Sequence, residues 1–427
     1  MDVYIHIGTE KTGTTSLQSF FRENRTLLSA RGVCYPASPG EEKHFSLSVY
    51  CRDDKIKDDL ITRSGLTDID SIRKFKRELP GKIRSEILSV PGKEKKLIFS
   101  SEHLSSRLLN KEEIQQLKEL VTPYSDNPKI VIYLRRQDEF LISSYSTSIK
   151  SGGTNEFNIP SVNKRVENRF NYFTILEKWR EVFGLENMIV RVYDRSLLVD
   201  GDIINDFLSI TGIPVDESFN KPVNKNESLN YKALEFLRRF NPYVPPIINS
   251  KLNPSREGLI YALANISLSS GKLPVDKKKL KLFYQYFKEC NKKVAEKYLR
   301  KKNGILFKDG PELDIEDSDE KVFELEDAME ICAELWKNQH NRVNRLKSKL
   351  ALSEAELAIR KYNFSRARFL LRKAENDSSN NESIEQLKKL LKKKELRSYY
   401  TLGTKRKVNK IIEYLNSTIL KRKLRNK

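Results

Sequence analysis

Residues 5–16 read Ile5-His6-Ile7-Gly8-Thr9-Glu10-Lys11-Thr12-Gly13-Thr14-Thr15-Ser16. A short β-branched run passes into a Gly/Thr loop and then into an amphipathic stretch around Leu17, Phe20 and Phe21, so a strand, a loop and a helix are predicted in that order. Gly8 and Gly13 permit tight backbone geometry, and the N–H groups of such a loop and of the first helical turn converge on one spot, which makes an anion cradle. Thr12, Thr14, Thr15 and Ser16 add hydroxyl donors, and Lys11 adds a mobile positive charge. The Gly8-x4-Gly13 spacing is that of a nucleotide phosphate loop, but Thr14 stands where that motif carries lysine, and the lysine sits inside the loop at position 11. A triphosphate hydrolase would lose its β/γ-phosphate lysine by this change. A ligand with less charge at the reacting group does not need one there.

Outward from this loop the first 200 residues alternate in type. Gly32–Pro36, Lys96–Ser100, Lys129–Leu134 and Met188–Tyr193 read as further strands, and the stretches 109–121, 139–150 and 170–183 read as helices between them. The run 129–134 is almost wholly apolar, as expected of a central strand buried on both faces. Strands separated by helices predict an α/β fold, a P-loop-like three-layer core around a mostly parallel sheet. After about residue 225 the strand signal stops, and 228–240, 276–300 and 321–350 read as amphipathic helices that complete a domain over 1–340. Residues 341–427 form a basic α-helical extension. Within it, Ala355, Ala358, Ala367 and Ala374 alternate with Tyr362, Phe364 and Leu371, a pattern that resembles one helix-turn-helix unit of a tetratricopeptide repeat and equally fits an ordinary helical hairpin.

Composition narrows the function classes. There are 79 Lys/Arg against 58 Asp/Glu, a net charge of +21. Residues 388–427 alone hold 15 basic and 2 acidic residues, so the rest carries 64 against 56. That is a mildly basic body with a strongly basic tail, and not a uniformly basic nucleic-acid binder. The stretch 309–334 carries twelve Asp/Glu against one Lys and reads as a solvated segment between the two. No run of ~18 apolar residues is present, which excludes a membrane-spanning helix. The N-terminal residues lack the basic stretch and apolar run of a signal peptide. Cys34, Cys51, Cys290 and Cys332 are scattered, with no CxxC pair, which argues against a disulfide framework and a thiolate zinc site and fits a reducing cytoplasm.

Lys11-Thr-Gly-Thr-Thr-Ser16 after a short N-terminal strand resembles the 5′-phosphosulfate loop of the sulfotransferases that use 3′-phosphoadenosine 5′-phosphosulfate (PAPS), with the run His6–Gln18 similar throughout to the bacterial branch. The family's usual PKxGTTxL keeps Leu17 here and has Glu10 in place of the proline. A second, distant element agrees. The family's 3′-phosphate element is a strand, an arginine and, eight residues on, a serine on the next helix; Arg135 and Ser143 have that spacing. The family's Asn-Pro after the arginine is Arg136-Gln137 here. Weaker similarities run through Phe183-Gly184 to Tyr193-Asp194, Asn226–Leu229 and Asn291–Leu299, so the resemblance spans about residues 1–300. Taken singly, each element has a plain alternative: Thr and Ser capping a helix, or surface arginines at a strand end.

The resemblance implies PAPS as sulfonate donor. Lys11 then contacts the sulfonate and bridging oxygen; Thr12, Gly13, Thr14, Thr15 and Ser16 hold the 5′-phosphate, and Arg135 with Ser143 the 3′-phosphate. A sulfonate in transfer carries less charge than a γ-phosphoryl group, so Lys11 and backbone amides suffice in principle without a metal, and no HxxxH, HExxH or DxDxDG pattern supplies a metal site. The acceptor hydroxyl or amine needs a base. Glu102 and His103 follow the strand 96–100 at the sheet's C-terminal edge, where relatives carry glutamate (carbohydrate sulfotransferases) or histidine (small-molecule ones), and both stay as candidates. His44 falls where bacterial relatives carry a histidine near the acceptor, and His6 reads as a packed strand residue. A saccharide of a cell-envelope polysaccharide or glycolipid is the acceptor class this suggests. Two readings fit the tail 404–427, whose Val408, Ile411, Ile412, Leu415, Ile419 and Leu420 share a helical face: a helix on an anionic membrane surface, or a terminal helix packed on the body. The rival functions are a P-loop nucleotide kinase or NTPase and a non-enzymatic helical-repeat binding protein.

Overall fold

The computed structural model describes residues 1–56, 58–92, 95–221, 229–248, 251–266, 273–308, 323–375 and 382–398, with Arg406 and Glu413. The acidic stretch 309–322, the motif at 226–228 and the tail 404–427 apart from those two residues lie outside the described residues.

Five strands form one sheet: β1 (Asp2–His6), β2 (Val33–Cys34), β3 (Lys96–Ser100), β4 (Lys129–Leu134) and β5 (Met188–Val192). Their order is β2-β3-β1-β4-β5 and every pairing is parallel. Parallel neighbours require crossovers, and the helices that supply them cover both faces of the sheet. The pleat shows why β4 had to be apolar throughout. Ile130, Ile132 and Leu134 join one core with Val3, Ile5, Leu97 and Phe99, while Val131 and Tyr133 join a second core on the opposite face with Ile98, Phe20 and Phe21. The α/β three-layer arrangement expected from the sequence is therefore the one observed.

The helices that position the site are α1 (Thr14–Glu23), α2 (Glu102–Arg107), α3 (Gln137–Lys150), α4 (Lys164–Phe170), α5 (Tyr172–Phe183) and α6 (Ile203–Thr211). Helix α5 lays Tyr172, Ile175, Leu176 and Trp179 on the first core; α1 and α6 pack on the second. The single helix expected over 276–300 is two, Lys277–Tyr286 and Lys288–Leu299, parted at Phe287. A short antiparallel pair, Ile247–Ile248 with Lys251–Leu252, departs from the reading that strands end by 225; two residues per strand are too few to show a period of two.

The chain divides into two compact units, residues 1–260 with 268–323, and 261–267 with 324–427. In the second, the 36-residue helix α7 (Leu325–Arg360) runs unbroken through residue 340, where the sequence reading divided the chain. It turns at Lys361–Asn363 into α8 (Phe364–Ala374), whose start is capped by Asn363 accepting from the Arg366 N–H at 3.2 Å. Ala355, Ala358, Ala367 and Ala374 are buried between them with Ile359, Leu370 and Leu371, and Ile384 and Leu391 of the helical residues 382–398 close this small core. Alanines at these positions let the helix backbones approach closely, and the Ser348 hydroxyl donates to the Ala374 carbonyl at 2.9 Å, satisfying an acceptor at the end of α8.

Candidate functional site

Because β1 lies between β3 and β4, the loops leaving these strands and β5 gather at one edge: residues 7–13, Ser101–His103, Arg135–Arg136 and Tyr193–Asp194. Open parallel sheets bind ligands at this edge. The first loop is pinned before it turns. Thr9 N–H donates to the Tyr133 carbonyl at 2.9 Å, Tyr133 N–H donates to the Gly8 carbonyl at 2.7 Å, and Ser105 N–H reaches the Ile7 carbonyl at 3.3 Å. Gly8, Lys11 and Gly13 have φ of 105°, 64° and 75°. At Gly13 the left-handed conformation coincides with a close approach: a Cβ there would stand 3.1 Å from Ile203 and 3.2 Å from the Tyr193 hydroxyl.

Gly13 is also the N-cap of α1, and no side chain caps this helix. The first turn, Thr14–Ser16, therefore presents its N–H groups at the positive end of the helix dipole. Thr15 and Ser16 are partly exposed there. The structure changes the part of Thr12: its side chain is buried and its hydroxyl donates to the Thr9 carbonyl at 2.6 Å, so it closes the loop rather than offering a free donor.

The two motifs read separately in the sequence meet. Arg135 Nη1 donates to the Lys11 carbonyl at 3.0 Å, its Nε donates to Glu139 at 3.1 Å, and its guanidinium lies 5.9 Å from the Tyr193 ring centroid. Tyr172 of α5 fixes the end of β4 by donating to the Arg135 carbonyl at 2.5 Å. Lys11 Nζ donates to Thr147 Oγ1 at 2.6 Å, and Thr147 bonds back to the carbonyl of Ser143 one turn earlier on α3. Ser143 thus sits on the helix face that receives Lys11. Burial lowers the Lys11 pKa; the Glu10 and Glu102 carboxylates work against that shift, while Arg169 and Lys43 reinforce it.

Glu10, which stands where the resemblance has proline, forms an ion pair with Arg169 of α4, and Arg169 also donates to Ser144 of α3 at 3.2 Å. Arg136 is tied to its own helix, bonding Asp138 at 2.8 and 3.0 Å.

At the end of β3, Glu102 opens α2 and accepts from Gln18 Nε2 at 2.8 Å. Burial pushes its carboxyl upward, but His103, Lys43 and the Gln18 amide outweigh that and hold it below the ordinary glutamate value. His6 and His44 are both enclosed in the fold. His6 Nδ1 lies 2.8 Å from Ser100 Oγ, and burial lowers its pKa to about 4. His44, expected near the acceptor, is enclosed instead. Its ring packs 4.2 Å from Tyr35, its Nδ1 accepts from Ser100 N–H at 3.2 Å, its own N–H donates to the Ser100 carbonyl at 3.1 Å, and burial lowers its pKa to about 3. The ring is fully covered and completes the end of a strand, where the sequence reading set it near the acceptor.

Beyond Arg135 a cleft of about 550 Å³ opens, lined by Arg135, Arg136, Tyr193, Asp194, Arg195, Phe307 and Lys308 among others. Thr147, Arg169, Gln18, Tyr193 and Lys308 are the site residues that the sequence motifs did not single out; Gln18 and Tyr193 lay in stretches already similar to the family. Among the described residues, no group of three or more His, Cys, Asp or Glu side chains is placed to hold a metal ion, and no helix is long and apolar enough to cross a membrane.

The fold and site define an α/β protein with a glycine-cornered strand-loop-helix, its helix start uncapped, at the edge of a parallel sheet. No family model matches the chain. A protein of Archaeoglobus fulgidus described as uncharacterized is 31% identical over 190 residues, covering 42% of this chain and 48% of its own length, so the chain spans about half of that curated relative. Among solved structures, the crystal structure of a sulfotransferase from Alicyclobacillus acidocaldarius aligns with 63% of this chain and 97% of its own, with 16% sequence identity and a TM-score of 0.33.

Proposed function

We propose that the protein is a PAPS-dependent sulfotransferase that transfers a sulfonate to a hydroxyl or amine of a saccharide acceptor in a cell-envelope polysaccharide or glycolipid. The observation that carries this reading is the 3.0 Å hydrogen bond from Arg135 to the Lys11 carbonyl, which brings two stretches 124 residues apart together at one edge of the sheet. The donor fits the residues present: an uncapped helix start at Gly13–Ser16 for one phosphate, and a guanidinium beside a basic cleft for the other. PAPS, when bound, supplies a sulfonate joined to a phosphate leaving group.

The chain's own groups divide the work. The N–H groups of Gly13–Ser16 bind the 5′ end, Arg135 and Ser143 the 3′ end, and Lys11 brings a positive charge to the reacting side of the loop. Glu102, ionised at neutral pH because His103 and Lys43 outweigh burial, accepts the acceptor's proton. The basic segment 404–427 is read as a contact to an anionic membrane surface where such acceptors are made.

Calorimetry tests the reading. Adenosine 3′,5′-bisphosphate binds and ATP does not; binding of ATP alone would make this a kinase or NTPase, and binding of neither would leave a non-enzymatic helical protein. Replacing Arg135 with methionine, which keeps length but not charge, weakens bisphosphate binding by about 10- to 100-fold, the loss of one or two charge-assisted bonds. An unchanged affinity would remove Arg135 from the site.

The pH profile identifies the base. A glutamate with a depressed pKa is a base above that pKa and loses this role as the pH falls through it. With Glu102 as base, kcat stays level through neutrality and falls only below the ordinary glutamate range of about 4.5. Glu102→Gln removes activity at every pH. A limb in the imidazole range that survives Glu102→Gln transfers the role to His103.

A further inference from the structure

Helix α7 has two apolar faces, and its own unit uses only one. In a heptad register with Met329 at position a, the buried residues Ser348, Ala351, Leu352, Ala355, Ala358 and Ile359 all fall at b, c or f, where α8 and the helical residues 382–398 cover them. Through Leu357, before the terminal Arg360 at the next d, the opposite side carries Met329, Trp336, Val343, Leu350 and Leu357 at a, and Leu325, Cys332, Gln339, Leu346 and Ser353 at d. All ten are exposed. Trp336 is 75% exposed and Leu325 70%, and even the most covered large side chain, Val343, remains 37% exposed.

We propose that this face is the seam of a parallel, two-stranded coiled coil between two copies of this chain. Apolar or cysteine side chains fill eight of these ten positions over almost five heptads, with Gln339 and Ser353 the polar two. A scattered apolar surface does not keep a 3.5-residue period, and three to four heptads already suffice for the assignment. At ~1.5 Å per residue the helix is ~54 Å long, enough for an extended interface.

The polar positions choose the orientation. In a parallel pair each a or d residue meets its own counterpart, so Gln339 meets Gln339 and their amides bond each other, while Ser353 meets Ser353 and Cys332 meets Cys332. In the antiparallel pairing with full overlap, Gln339 would face Val343 and Ser353 would face Met329, each burying a polar group without a partner.

Charges flanking the seam agree. Within the helix, parallel pairing sets Lys349 at g against Glu354 at e of the second copy, one attractive contact on each side of the dyad, and Arg342 against Lys347, one repulsive contact. Full antiparallel overlap sets Glu326 against Glu354 and Arg342 against Arg342, with no attractive pair.

Sedimentation velocity of the full-length chain at micromolar concentration gives a dimer. Leu346→Glu with Leu350→Glu, which touches no residue of the buried b, c and f face, raises the dissociation constant about 100-fold or more, because two carboxylates must enter the seam. Circular dichroism checks that the helices persist in the variant. Independently of that variant, a short bis-maleimide captures an SDS-resistant dimer of the unaltered chain through Cys332, and Cys332→Ser abolishes it. A monomeric unaltered chain, a dimer indifferent to the paired substitution, or a dimer without a Cys332 cross-link would each overturn the parallel seam. The first two outcomes would hold if the chain's own residues 399–427 or a lipid surface occupied the stripe.

Discussion

Lys11→Ala lowers kcat by about 10³-fold while the affinity for adenosine 3′,5′-bisphosphate changes by less than about fivefold. The separation follows from which atoms of Lys11 do what. Its carbonyl accepts the Arg135 hydrogen bond and is untouched by the substitution. Its backbone sits at φ 64°, a cost that alanine shares with lysine, so the loop geometry gains no new strain. What is lost is the ammonium and the alkyl stem that carries it. In the structure it rests on Thr147 at 2.6 Å, a single neutral partner that gives it up at little cost. A group held by one hydroxyl, partly buried and flanked by Glu10, Glu102 and Arg169, is placed to exchange that partner for charge developing on a leaving oxygen. Steady-state kinetics and calorimetry on the same preparation check both halves. Turnover within tenfold of the unaltered protein would remove Lys11 from the chemistry. A matching collapse of bisphosphate affinity would make it a binding residue only.

What could be read in the sequence was what local pattern encodes. The loop Gly8–Gly13 announces itself because positive φ and an uncapped helix start demand glycines at fixed places, and β4 because a strand covered on both faces has no polar position to spare. Arg135 could be placed because a strand end fixes its height above the sheet. The partners of these residues were not legible. Nothing near Glu10 says that it will pair with Arg169, 159 residues away, and nothing near Gln18 says that its amide will hold Glu102. The burial of His44 was not legible for the same reason: it depends on the end of β3, whose N–H its ring accepts. The long helix α7 showed its period in the sequence, but which of its two apolar faces the chain itself covers depends on α8 and residues 382–398, which no pattern within α7 records.

The second large effect is on stability. Asp206→Ala destabilises the first unit by about 3 kcal/mol; Asp206 lies on α6, which packs on the second core. The Asp206 carboxylate is fully buried and accepts from Tyr133 Oη at 2.8 Å, from Arg191 Nε at 3.1 Å and from Val199 N–H at 3.3 Å, with a further bond from Arg191 Nη2. Removing it strands the buried Tyr133 hydroxyl, whose pKa burial and Asp206 together hold far above the ordinary phenol value. The Arg191 side chain is 37% exposed and recovers part of its loss from water, which keeps the cost at the lower end of what breaking a buried pair brings. Asp206→Asn keeps the shape and one acceptor, so it loses less. Tyr133 is also the residue whose main chain grips Gly8 and Thr9, so the same substitution should loosen the anion loop from behind. Urea denaturation gives the first quantity, and hydrogen exchange at Thr9 relative to β1 gives the second. A loss below about 1 kcal/mol would mean that the carboxylate's own desolvation cancels its bonds, leaving the loop held by the β4 ladder alone.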